Sequence, residues 1–164
     1  MFYPAKRVPP YNLWIGSMQD SQNARAARQH RVGLIVNCTR DVPFAVRGVR
    51  HLRVAVHDSP EEAPAMLASL PEAVQAIEEH LRKGDGVLVH CFAGVSRSAS
   101  VVAAFLMRRE GLTPRQAIAR IQKYKPETFG NRPTFRDALE AWHTSKDAHH
   151  ISRDARPSST RSTL

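Results

Sequence analysis

Val87-Leu88-Val89-His90-Cys91-Phe92-Ala93-Gly94-Val95-Ser96-Arg97-Ser98 joins an aliphatic stretch, through a turn of small residues, to Ala99–Met107, which is apolar nearly all round. The aliphatic run 87–89 predicts a short buried strand, and 99–107 predicts a buried helix. Between them lie a thiol, Cys91, and a guanidinium, Arg97. A loop wrapped at a helix N-terminus turns successive backbone N–H groups into one concavity, and the helix dipole adds partial positive charge there. Such a place suits an oxyanion. The same field favours the thiolate of Cys91, a thiol otherwise near pKa ~8.5. The fork of Arg97 matches two oxygens of a phosphate. Taken singly, a cysteine at a strand end is usually a small buried hydrophobe, an arginine at a helix start is usually solvated, and a glycine turn only turns. Their coincidence, with the hydroxyls of Ser96 and Ser98, points to a nucleophile that works on phosphate.

His90-Cys91-Phe92-Ala93-Gly94-Val95-Ser96-Arg97-Ser98 resembles the His-Cys-x5-Arg signature of the protein tyrosine phosphatase superfamily, and its Ala-Gly-Val-Ser-Arg-Ser form resembles the dual-specificity phosphatases. The resemblance covers about residues 10–143. It implies an α/β domain, a phosphocysteine intermediate and a shallow pocket that admits phosphoserine and phosphothreonine as well as phosphotyrosine. The chain's own order of strands and helices gives the same class: a central, mainly parallel sheet flanked by helices on both sides.

Breaking a phosphate ester needs a proton for the departing oxygen, and a carboxylic acid over the pocket supplies it. Asp58 is the candidate. It follows an apolar strand and opens the acidic loop Asp58-Ser59-Pro60-Glu61-Glu62, as the general acid does in the family it resembles. The competing reading of Asp58 is a loop or helix-capping carboxylate. Asp41 is the second choice, and Asp85 is already explained by the turn Lys83-Gly84-Asp85-Gly86. The expected site is therefore Cys91, Arg97, Asp58 and Ser98 for chemistry, with Phe92, Ala93, Gly94, Val95, Ser96 and Arg97 holding phosphate. His90 and Asn131 are expected in support. The family's Arg-Pro pair is replaced by Lys125-Pro126, and Asn131 and Phe135 stand one residue further apart than in its Asn-x-x-Phe element.

The 164 residues suffice for one domain with a real core, and 42% apolar with 24% charged residues is ordinary for a globular protein. A net charge of +9 suits an anionic substrate, a membrane surface or nucleic acid without choosing among them. With two cysteines, no long apolar run and no signal-peptide pattern, a reducing, soluble compartment is expected: cytoplasmic, with the nucleus also allowed, and not secreted. Cys38 reads as a structural core thiol. No cofactor or metal is called for, since the eight histidines are scattered without ligand spacing. A phosphoprotein is the expected substrate, because the loop has no lysine of its own to hold a polyphosphorylated head group. An RNA 5′-triphosphatase or a catalytically silent phosphate-binding module are the alternatives. Nucleic acid is not the favoured partner, and a homodimer through the N-terminal arm is left open.

Along the chain, residues 1–10 read as an extended arm, 11–144 as the catalytic domain and 145–164 as a basic, Ser/Thr/Arg-rich disordered tail. Strands are expected at 11–16, 34–38 and 52–56. Helices are expected at 21–30, capped by Asp20 or Ser21, and from Met66 with Pro71 in its first turn. Two more follow: one started by Thr113-Pro114, and a last one bearing Phe135, Leu139 and Trp142.

Overall fold

The computed structural model describes residues 4–149. Five strands form one sheet in the order β1-β2-β5-β3-β4: β1 (Lys6–Arg7), β2 (Leu13–Gly16), β3 (Val32–Asn37), β4 (Arg50–Arg53) and β5 (Gly86–His90). Pairing is parallel except at the edge, where β1 runs antiparallel to β2. The mainly parallel sheet is as expected.

Alternation along the strands sorts side chains to two faces. Leu13, Ile15, Leu34, Val36, Val87 and Val89 point into the main core. There they meet α2 (Ala63–Arg82), α3 (Arg97–Glu110), α4 (Pro114–Tyr124) and α5 (Arg136–Thr144). Ile35 and Leu88 face the other way, into a smaller cluster with Ala27 and Val46. That face is covered by the short α1 (Ala24–Gln29) and by the segment between β3 and β4. Helices lie on both faces, but unequally.

The helix α3 is the pillar of the larger layer. Every side chain from Ser98 to Met107 is buried, and the indole Nε1 of Trp142 donates to the Ala104 carbonyl at 3.1 Å. It begins two residues earlier than its apolar stretch suggests, so Arg97 is its first residue. Gly111 ends it at φ 69°, the left-handed conformation that a helix stop favours. Thr113 then opens α4 with a complete capping box through Gln116.

Several expectations shift. Lys6 and Arg7 are a strand and Val8 is fully buried, so the N-terminal arm is part of the domain. The cap of α1 is Asn23, whose side chain accepts from the Ala26 amide at 3.0 Å, because Asp20 is engaged elsewhere. The third expected strand is displaced to Arg50–Arg53, and Val54 and Val56 go into the core beyond it. Helix α2 starts at Ala63, so the first-turn proline is Pro64 and Pro71 lies in the interior, where it costs one backbone hydrogen bond. The burial of Met66, Leu70, Ala73, Val74 and Ile77 outweighs that loss. Part of the polar tail also packs: Asp147–His149 form a 3-10 turn with Ala148 buried. The rest of the tail, 150–164, lies outside the described residues.

Candidate active site

The loop 91–96 leaves β5 at the carboxyl ends of the parallel strands and feeds α3. Cys91 is buried at the foot of this loop. Its Sγ lies 3.2 Å from the Ser98 hydroxyl and accepts the Gly94 N–H at 3.3 Å. Burial pushes the Cys91 thiol up, but the Ser98 hydroxyl, the backbone N–H groups of Ser98 and Gly94, and the charge of Arg97 together outweigh it. The thiol ends below its ordinary value. A thiolate only accepts, so Ser98 is the donor of that pair. Cys38 has no such donors, and burial pushes its thiol well up. It lies in the core, as expected.

Arg97 reaches back across the loop. Its Nη1 donates to the Val56 carbonyl at 3.1 Å, while its buried Nε has no hydrogen-bond partner among the described residues. Val56 lies two residues before Asp58, so the bond ties the segment carrying the candidate acid to the candidate phosphate-binding arginine. Asp58 and its rival Asp41 are both exposed. Arg40, beside Asp41, donates from Nη1 to Nε2 of His57 at 2.7 Å, so the two acidic loops meet at one rim. Among the described residues, the Asp58 segment and not the Asp41 segment is bonded to Arg97 in this way. Asp85 is remote in role: it accepts from Nδ1 of His80 at 2.8 Å, beside the turn that explained it.

Neighbouring segments hold the loop from outside. The Met18 N–H donates to the Phe92 carbonyl at 2.9 Å, and the Phe129 N–H donates to the Val95 carbonyl at 2.8 Å. Because a trans peptide places C=O and N–H on opposite sides, each carbonyl drawn outward turns the next amide, Ala93 or Ser96, inward. Gly94 packs against the first of these segments at φ 75°, where a Cβ would sit 2.7 Å from the Gly16 carbonyl oxygen. No other residue fits there without moving β2 or the loop. Asp20 fixes the first clamp: its carboxylate accepts from the Ser17 N–H at 2.7 Å and the Ser17 hydroxyl at 3.0 Å.

Sequence reasoning missed these outer groups, Met18, Asp20 and Phe129, because two of them act through backbone atoms. Asn131 is exposed, and among the described residues the link from its segment to the loop runs through Phe129 instead. Ser96 shapes the helix start, its carbonyl accepting from the Ser100 N–H and hydroxyl.

His90 is fully buried, and its Nδ1 lies 3.2 Å from the Cys91 carbonyl. A carbonyl only accepts, so the ring proton is on Nδ1. Burial lowers the imidazole to about 4, and the ring is neutral at ordinary pH. Unfolded, the same ring takes a proton near pH ~6.5, so acid favours the unfolded chain. The stability held by a neutral His90 is full above about pH 6.5 and is lost as pH falls toward 4. Urea midpoints measured across that range should fall with acid, and less steeply in His90→Gln.

The comparisons agree with this geometry. The family model described as "Dual specificity phosphatase, catalytic domain" matches residues 13–145. The chain belongs to the dual-specificity phosphatase family. It is 35% identical over 146 residues to Dual specificity phosphatase 28 of Homo sapiens, covering 88% of this chain and 81% of the relative. It is 34% identical over 127 residues to Dual specificity protein phosphatase Mpk3 of Drosophila melanogaster, covering 76% of this chain and 30% of that protein. Human Dual specificity protein phosphatase 9 is likewise spanned over only 33% of its length, so the chain matches about a third of these longer dual-specificity phosphatases. The crystal structure of human DUSP28 superposes with a TM-score of 0.80 at 34% identity, covering 87% of this chain and 95% of that one. DUSP15 gives 0.78 at 25%, covering 88% and 90%. No helix among the described residues is long and apolar enough to cross a membrane.

Proposed function

We propose that the chain hydrolyses phosphotyrosine, phosphothreonine and phosphoserine in proteins through a phosphocysteine. The observation that carries this reading is the Cys91 sulfur, held among Ser98 and Gly94 donors on the loop that also bears Arg97. The Cys91 thiolate attacks phosphorus, the S–P bond forms and the P–O bond to the side chain breaks. Asp58 gives its proton to the departing oxygen. Loop amides and Arg97 hold the three remaining phosphate oxygens, where charge is spread in the transition state. Asp58, now a carboxylate, takes a proton from water as the water attacks the phosphocysteine. The sulfur leaves as a thiolate, which the Ser98 hydroxyl stabilises by hydrogen bonding.

Phe92 supports a protein substrate. Its side chain is 61% exposed beside the nucleophile, an apolar lip that the side chains of a peptide can cover. The function test is phosphate release from matched phosphotyrosine, phosphothreonine and phosphoserine peptides and from a 5′-triphosphorylated RNA. Release from peptides supports the reading. Release from RNA alone replaces it with the triphosphatase, and release from none replaces it with a binding module.

Asp58→Ala should slow peptide hydrolysis by ~10² to 10⁴-fold, and hydrolysis of an aryl phosphate with a good leaving group much less. Comparing the two substrates checks the assignment. An equal loss on both, or a larger leaving-group effect in Asp41→Ala, would move the acid elsewhere.

A further inference from the structure

Lys125 is only 1% exposed, among the most buried large side chains of the chain. Lysine is almost never found so deep without a partner. Its Nζ donates to Glu127 Oε1 at 2.7 Å, and the Glu127 carboxyl is held below its ordinary value although burial opposes this, because that ammonium and its own backbone N–H bind it. The two residues bracket Pro126 at the end of α4, and the turn they open is bonded throughout. The Lys125 carbonyl accepts from the Thr128 N–H at 3.1 Å and the Thr128 hydroxyl at 2.7 Å, while Gln122 Nε2 donates to the Thr128 carbonyl at 3.0 Å. This turn delivers Phe129 at φ 66°, a conformation that non-glycine residues seldom adopt and that persists only when the surroundings enforce it. In that conformation the Phe129 N–H meets the Val95 carbonyl.

From this chain of contacts we infer that Lys125 and Glu127 are positioning residues for phosphate binding: the ion pair of buried Lys125 with half-buried Glu127 holds the turn whose Phe129 N–H keeps the Ser96 amide aimed into the cradle. The inference rests on the cradle being the phosphate site. Neither residue touches the phosphate. Without the Glu127 carboxylate the buried Lys125 ammonium loses its charged acceptor, which is costly at so enclosed a place. The turn then loosens and the Val95–Ser96 peptide is free to rotate. Glu127→Gln keeps the shape but replaces a charged acceptor with a neutral one, a milder version of the same change.

The test is the affinity for inorganic tungstate, a tetrahedral oxyanion that needs no turnover, measured by calorimetry on the whole chain. It is read with kcat/KM and with the Ser96 amide resonance. Lys125→Met should weaken tungstate about tenfold and lower kcat/KM by roughly 10 to 100-fold, no more than the loss known for one removed oxyanion donor, with Glu127→Gln toward the smaller end of each effect. The Ser96 amide should shift less on tungstate addition than in the natural sequence, and Lys125→Arg should restore both affinity and shift. Unchanged tungstate affinity and Ser96 shift in folded variants, with only the melting temperature lowered, would overturn the inference. If Lys125→Met does not fold, Glu127→Gln decides. If the natural sequence binds tungstate but releases no phosphate from any peptide, the proposed reaction fails while this inference is still decided by the variants.

Discussion

Cys91→Ser should release no measurable phosphate from any peptide, a loss of at least about 10⁴-fold, the scale set by removing the nucleophile from other covalent enzymes. The reason lies in what surrounds the sulfur. The Ser98 and Gly94 contacts stabilise a thiolate whose thiol already sits below its ordinary value. A serine hydroxyl placed there starts many units further from ionisation, and the same two donors are far too few to close that distance. The cradle does not depend on the sulfur: Met18 and Phe129 hold it through the Phe92 and Val95 carbonyls. Cys91→Ser should therefore still bind tungstate within a few-fold of the natural sequence. Turnover that survives the substitution would remove Cys91 from the chemistry, and loss of tungstate affinity together with turnover would mean that the loop had collapsed.

Arg97→Ala should cost roughly 10³ to 10⁵-fold in kcat/KM, the range seen when an arginine that faces a transferring phosphoryl group is removed. Two interactions disappear at once. The guanidinium no longer meets the phosphate, and the Val56 carbonyl loses the donor that ties the Asp58 segment to the site. The second loss makes a sharper test than the first. With Arg97 gone, Asp58 is no longer held at the pocket, so Arg97→Ala with Asp58→Ala should be much less damaging than the product of the single effects. Arg97→Lys keeps the charge without the fork and should recover little. Strict additivity in the double variant would mean that Asp58 is positioned by something other than Arg97.

The reactive loop was readable because its chemistry is contiguous: strand, thiol, small residues, arginine and helix follow one another in a few residues, and sequence displays local order well. The cap at Thr113 was legible for the same reason. What escaped depends on atoms that no side chain announces. Met18 and Phe129 clamp the loop through backbone N–H groups, and the left-handed backbone of Phe129 belongs to its surroundings rather than to phenylalanine. Asp20 reads as a helix cap because it precedes a helical stretch, yet its carboxylate turns back to Ser17. Pro71 misplaced the start of α2 because a proline inside a helix is locally unfavourable, and only the buried face of the whole helix explains its presence. Lys125, beside Pro126 and Glu127, has the composition of a solvated turn, and its burial follows from the pair it makes.

Helix α3, whose side chains are buried from Ser98 to Met107, also sets how the site fails. An element enclosed on all sides has no partial opening of its own, so its backbone is released only when the whole domain comes apart. Arg97 and Ser98 are its first two residues. The part of the cradle that Ser98 supplies is therefore held as long as the fold is, and fluctuation is left to the exposed rim that carries Asp58, bordered by the half-buried Arg97. Ligand capture then needs no ordering of the cradle beforehand, and the motion that remains belongs to the acid.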